Sequence, residues 1–145
     1  MSINVLEFIN NISVKTYIAG ESVFEEKDTS TGMMYFLLHG EVEILKTYDG
    51  EVRVIRKLSS GSFFGEMALI SKIPRAAGAR VASDKAKIGS LDQDMFHKIG
   101  QTNPKFFSIL LSTMIERLVS VEEEIGKLSS LSSINLEEIK PRADV

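Results

Sequence analysis

Hydrophobic and polar positions change their rhythm once along this chain, near residue 92. From Val14 to Leu91 the apolar residues fall in short runs broken by turn formers, and the runs Val14–Tyr17, Ser22–Phe24, Met34–Leu38, Glu41–Lys46, Val52–Leu58, Ala77–Ala82 and Lys87–Leu91 predict β-strands. Val42 and Ile44 alternate with Glu41 and Glu43, the pattern of a sheet with one wet face. Ala19-Gly20 and His39-Gly40 read as tight connections, and Tyr48-Asp49-Gly50 between two alternating runs is a strong hairpin signal, because Asp and Gly both tolerate positive φ. Short strands at this spacing predict an antiparallel jelly roll. Past residue 92 the period becomes helical. Asp92 or Asp94 caps a short helix that runs through His97 and ends near Gly100, and Asn103-Pro104 opens a longer one. Phe107, Leu111, Met114, Leu118, Val121, Ile125 and Leu128 recur at alternate spacings of four and three, an apolar seam that suits a dimer interface over residues 104–128 or a helix packed on its own domain. The run Glu122-Glu123-Glu124 reads as a solvated face. At the N-terminus, Ile3, Leu6 and Ile9 have the spacing of one short helix.

The expected fold is therefore mainly β with flanking α-helices: a double-stranded β-helix (jelly roll or β-roll) over about 14–91, then C-terminal helices over about 92–128. Together these form one domain, 1–128, followed by a weakly ordered tail or short helix over 129–145. The 145 residues suffice for one domain with a real core. With 43% apolar and 26% charged residues the composition is that of an ordinary soluble protein. A net charge of -3 supplies no basic face for nucleic acid. There is no cysteine, which removes disulfides, thiolate metal sites and cysteine nucleophiles and fits a reducing cytoplasm. No run approaches the 18 or so apolar residues of a membrane helix, and residues 1–11 make a poor signal peptide, so a cytoplasmic protein with no membrane partner is expected. His39 and His97 lie outside any ligand motif, which leaves no metal site, and neither a nucleophile elbow nor a phosphate-cradling Walker loop is present. No enzyme class is supported.

The chemistry concentrates in Phe64-Gly65-Glu66-Met67-Ala68-Leu69 and the nearby Pro74-Arg75-Ala76-Ala77. Gly65 marks a place where the backbone turns and closely approaches something. Glu66 to Leu69 can form one helical turn whose N–H groups suit an anion. Arg75 offers a fork of donors matched to two phosphate oxygens, and one negative charge would relieve the cost of burying it. Glu66 can only accept, which excludes phosphate and allows a sugar hydroxyl. Ala68, Ala76 and Ala77 are small enough for a ring to meet the backbone.

This segment resembles the phosphate-binding cassette of cyclic nucleotide-binding domains, whose pattern Phe-Gly-Glu-x-Ala-Leu, spacer, Pro-Arg-Ala-Ala is met at every one of those positions. Tyr35 to Val42 is similar to that family's third and fourth strands, and Leu118 to Leu128 to the end of its long helix in the catabolite-activator branch. The resemblance implies a ligand-binding set of Phe64, Gly65, Glu66, Met67, Ala68, Arg75, Ala76 and Ala77, with Glu66 on the ribose 2′-hydroxyl and Arg75 on the cyclic phosphate. Where the family places Thr or Ser to bind guanine, this chain has Ala76, which favours cyclic AMP over cyclic GMP. Three departures stand out: Lys27-Asp28 replaces a Gly-Asp turn, Val121 and Glu122 occupy positions where activator-type proteins carry an adenine-contacting Thr-Ser pair, and Gly78-Ala79 replaces a bulkier pair. Only 17 residues follow Leu128, too few for a helix-turn-helix reader. The expectation is a stand-alone receptor that shifts its C-terminal helices on binding and signals to an unknown downstream protein. The rival is a module that keeps the fold without ligand.

Overall fold

The structure, a computed structural model, describes residues 12–29, 32–71 and 73–132. Eight strands and three helices follow in chain order: β1 (Ser13–Ile18), β2 (Ser22–Phe24), β3 (Met34–His39), β4 (Val42–Tyr48), β5 (Glu51–Leu58), β6 (Phe63–Phe64), α1 (Glu66–Ser71), β7 (Gly78–Val81), β8 (Lys85–Leu91), α2 (Gln93–Thr102) and α3 (Lys105–Ser132). The short helix expected over Ile3–Ile9 lies outside the described residues, as do residues 133–145.

The strands form two four-stranded sheets with orders β1-β8-β3-β6 and β2-β7-β4-β5, and every pairing is antiparallel. This is the strand order of a jelly roll, the fold class expected from the sequence. Tyr17, Leu37, Val42, Leu58, Phe64, Ala79, Val81, Ala86 and Ile88 form the core, drawn from both sheets and therefore seated between them. Between β4 and β5, Asp49 and Gly50 both take positive φ (51° and 79°), the two-residue turn that the Asp-Gly pair predicts.

The continuous apolar run of β3 has a physical reason in its two covered faces. Tyr35 stacks on Phe64 and Leu37 joins the inter-sheet core. Phe36, on the opposite face, meets Phe63 and Phe106, with ring centroids 6.4 Å apart in each case. Phe96 of α2 closes on Phe106 at 5.8 Å, edge to face. The two residues of β6 divide in the same way, because Tyr35 pairs with Phe64 and Phe36 with Phe63. A two-residue strand is too short to show an alternation, which is why no periodicity in the sequence announces β6.

Asp92 caps α2, its Oδ1 accepting from the Met95 N–H at 2.8 Å, so the first of the two candidate caps is the one used. The helix runs to Thr102, beyond the expected end near Gly100. The chain divides into two units between Phe106 and Phe107. Within the second, α3 is unbroken to Ser132, so residues 129–132 are helix and not the start of a tail. Phe107, Leu111, Leu118, Val121, Ile125 and Leu128 of the apolar seam are all exposed along it. Among the described residues no helix is long and apolar enough to cross a membrane.

Candidate functional site

The site is organised by a buried cation. Arg75 is only 6% exposed, and it is the buried charged residue of the described chain. Its backbone is clamped to the β2–β3 connection: the Arg75 N–H donates to Asp28 O at 2.9 Å, and the Lys27 N–H donates to Arg75 O at 2.7 Å. Asp28 holds the turn that makes this possible, its carboxylate accepting from the Glu25 N–H and its own N–H donating to Glu25 O. Lys27 sits there with φ +71°, a conformation that L residues with a Cβ adopt at a cost. The glycine of the Gly-Asp turn noted above would take that conformation without strain.

From this anchored backbone the guanidinium reaches inward. Nη1 donates to Gly65 O and Nη2 to Met33 O, both at 2.9 Å. Its carbon lies 4.1 Å from the centroid of the Phe24 ring and 5.6 Å from that of Tyr35. Burial pushes the Arg75 pKa below its ordinary value, opposed by the Tyr35 side chain and by the negative charges of Asp28 and Glu66. The ion pairs among the described residues are Arg53–Glu51 and Arg80–Glu43, so no described carboxylate comes within ion-pair distance of Arg75. The site thus holds a desolvated cation, met by two carbonyl dipoles and a ring face.

Of the segment singled out in the sequence, Phe64, Gly65 and Glu66 lie around this group. Phe64 is buried on β6. Gly65 turns the chain with φ +75°, and a Cβ there would lie 2.8 Å from Arg75 Nη1, 3.2 Å from Tyr35 Cδ2 and 3.3 Å from Phe24 Cε2. What the glycine closely approaches is therefore the arginine and its rings. Glu66 opens α1 half-buried, near enough to Arg75 for its charge to be felt. Ala68 is buried within α1, whereas Met67 and Ala76 are exposed and Ala77 is half-buried at the entry to β7.

Three participants were not marked by any sequence signal: Phe24, Tyr35 and the carbonyl of Met33. Phe24 and Tyr35 read as ordinary strand positions, and a backbone carbonyl leaves no trace in residue identity. Val121 and Glu122 lie in the second unit and Arg75 in the first.

Residues 14–103 match the family described as cyclic nucleotide-binding domain. The chain belongs to this family. A cAMP-dependent protein kinase regulatory subunit of Mycosarcoma maydis is 33% identical over 81 residues, which are 54% of this chain and 15% of that protein. The cyclic nucleotide-binding domain described here thus corresponds to a small part of that relative. Among solved structures, the Thermus thermophilus catabolite activator protein superposes with a TM-score of 0.74 at 24% identity, over 86% of this chain and 57% of that one, and shows the shared fold. The regulatory domain of Toxoplasma gondii PKA, solved with cAMP, superposes with a TM-score of 0.56 at 32% identity, over 61% of this chain and 33% of that one.

Proposed function

We infer that this cyclic nucleotide-binding domain is a non-catalytic receptor that favours cyclic AMP, with Arg75 as the counter-ion of the cyclic phosphate. The observation that carries the reading is a buried guanidinium with no described carboxylate in ion-pair distance. A charge held in a poorly solvated place is stabilised by an opposite charge more than it would be in water. A cyclic phosphodiester brings one negative charge and two acceptor oxygens. Arg75 has five N–H donors, of which the Gly65 and Met33 carbonyls take two. Glu66 accepts from the ribose 2′-hydroxyl. Phe64, Gly65, Met67, Ala68, Ala76 and Ala77 shape the remainder of the site, and Ala76 withholds the hydroxyl that would favour guanine.

Ligand capture would act on Gly65, whose carbonyl accepts from Arg75 and whose missing Cβ would lie against Arg75, Tyr35 and Phe24. The two residues before Gly65 lead in opposite directions. Phe64 stacks on Tyr35 in the site, while Phe63 meets Phe36, which meets Phe106 in the first turn of α3. A change at Gly65 is thereby offered to the C-terminal helices, whose repositioning is the signal passed to a separate downstream protein. Two copies pair through the apolar seam within residues 104–128, and the protein works in the cytoplasm without nucleic acid, membrane or metal.

Calorimetric titration with cyclic AMP and cyclic GMP, on protein freed of carried-over nucleotide, tests the reading. Cyclic AMP binds more tightly, and Arg75→Ala loses about 100-fold in affinity, since it removes a charge-assisted pair from a desolvated site. No heat with either nucleotide at millimolar concentration would refute the receptor and leave a fold kept for protein interaction. An Arg75→Ala variant binding as tightly as the parent would refute the role given to Arg75.

A further inference from the structure

The guanidinium of Arg75 is held by more than its hydrogen bonds. Phe24, Tyr35 and Phe64 form a cluster of three rings, with centroids 5.7 Å (Phe24–Tyr35), 6.0 Å (Phe24–Phe64) and 5.5 Å (Tyr35–Phe64) apart. The rings come from both sheets, Phe24 from β2 in one and Tyr35 and Phe64 from β3 and β6 in the other. Arg75 lies against this cluster, with its carbon 4.1 Å from the Phe24 centroid. That is the distance of direct face contact. Gly65 packs into the same corner, since its missing Cβ would touch Arg75, Tyr35 and Phe24 together.

We propose that Phe24, on β2 and outside the cassette, is a positioning residue for ligand binding: its ring face fixes the Arg75 guanidinium in the orientation that receives the phosphate. The proposal rests on the reading of Arg75 as the phosphate counter-ion. The physical argument has two parts. First, an arginine side chain is long and rich in rotamers, and ordering it on ligand binding costs affinity unless the free protein has already ordered it. The two carbonyl bonds fix the in-plane direction of the guanidinium, and the Phe24 face fixes its tilt, so the group is set before the ligand arrives. Second, a ring face stabilises the cation without neutralising it. A carboxylate in the same place would cancel the charge and compete with the phosphate, whereas the quadrupole of phenylalanine leaves the charge available. This explains why a cation can be buried here with aromatic and carbonyl neighbours and still serve an anionic ligand.

The test compares the parent with Phe24→Leu, which keeps an apolar side chain and removes the π face, and Phe24→Tyr, which keeps the face. Cyclic AMP affinity by calorimetry is expected to fall about tenfold in Phe24→Leu and to stay within about twofold in Phe24→Tyr. In an Arg75→Lys background, Phe24→Leu is expected to change affinity by less than it does beside arginine, because the ammonium lacks the planar group that the ring orients. Nuclear magnetic resonance supplies a readout that a merely structural role would not move. In the nucleotide-free parent the Arg75 side-chain resonances are shifted upfield of those of Arg56 and Arg80 by the ring current, and Phe24→Leu removes most of the shift, leaving only what the more distant Tyr35 ring contributes. A folded Phe24→Leu variant with parental affinity overturns the proposal. If that variant fails to fold, absence of the upfield shift in the parent overturns it equally. A parent that binds neither cyclic AMP nor cyclic GMP overturns the receptor reading itself, a result distinct from a binding parent whose Phe24→Leu variant binds just as well.

Discussion

Replacing Gly65 by alanine places one methyl group in the tightest corner of the site. Two costs follow from the geometry. The backbone there has φ +75°, which an L residue adopts at about 1–2 kcal/mol. The new Cβ would stand 2.8 Å from Arg75 Nη1 and 3.2 Å from Tyr35 Cδ2, well inside the 3.5–4.0 Å or so at which such atoms rest. Arg75 cannot yield without stretching its 2.9 Å bond to Gly65 O, and a hydrogen bond from a charged donor contributes about 1.5–3 kcal/mol. Together the two terms predict a loss of about 2.5–5 kcal/mol. Gly50→Ala isolates the backbone term, since Gly50 has nearly the same φ of +79° and nothing within 4 Å of its missing Cβ. That variant should lose only about 1–2 kcal/mol. Urea denaturation followed by circular dichroism measures both. With a slope of about 2 kcal/mol per molar, the Gly65→Ala midpoint falls about 1 M below that of Gly50→Ala. Calorimetry on the same protein should show weakened cyclic AMP binding, because the arginine has been displaced. If the two variants share a midpoint and Gly65→Ala binds as the parent does, the corner is softer than its distances imply and the argument fails.

The opposite substitution is informative at Lys27, whose φ of +71° strains a residue with a Cβ. Lys27→Gly relieves that strain and loosens the unfolded chain, for a net gain of up to about 1 kcal/mol, and a lowered urea midpoint would contradict this. Tyr17 gives a pH signature. Burial, with the nearby Tyr35 and Glu21, raises its pKa, so its contribution is fully present below about pH 10 and is lost as pH rises through the higher folded value. Above pH 10 the parent should therefore lose stability more steeply than Tyr17→Phe, and parallel midpoint curves from pH 9 to 11.5 would refute this assignment. Leu118 is exposed at the centre of the apolar seam of α3. If two copies pair there, Leu118→Glu converts a dimer to a monomer in sedimentation equilibrium, and a parent that is already monomeric removes the pairing.

The local grammar of the chain was enough for much of the fold. Alternating and continuous apolar runs mark seven of the eight strands, Asp49-Gly50 marks its hairpin, and Asp92 and Pro104 mark where helices begin, because each of these features acts on its own neighbourhood in the chain. The order of residues from Phe64 to Ala77 was enough to suggest the family. Strand β6 escaped, since two residues carry no period, and α3 passed Leu128 because Ser129 to Ser132 contain neither glycine nor proline to stop it.

What only the tertiary structure decided is the surroundings of Arg75. In the sequence it reads as a fork of donors matched to phosphate. In the fold it is a buried cation held by a carbonyl 42 positions away, a second carbonyl ten positions away and the face of a ring on β2. These partners are two backbone oxygens and an aromatic face, none of which has a residue pattern of its own. They meet because β2 and β3 lie in different sheets, and closing the roll brings the sheet ends together at Gly65. Residue order therefore sufficed to place a phosphate-matched arginine beside a glycine. Long-range strand pairing determined that the arginine would be desolvated, oriented and left without a described carboxylate within ion-pair distance, and those are the properties on which its proposed chemistry depends.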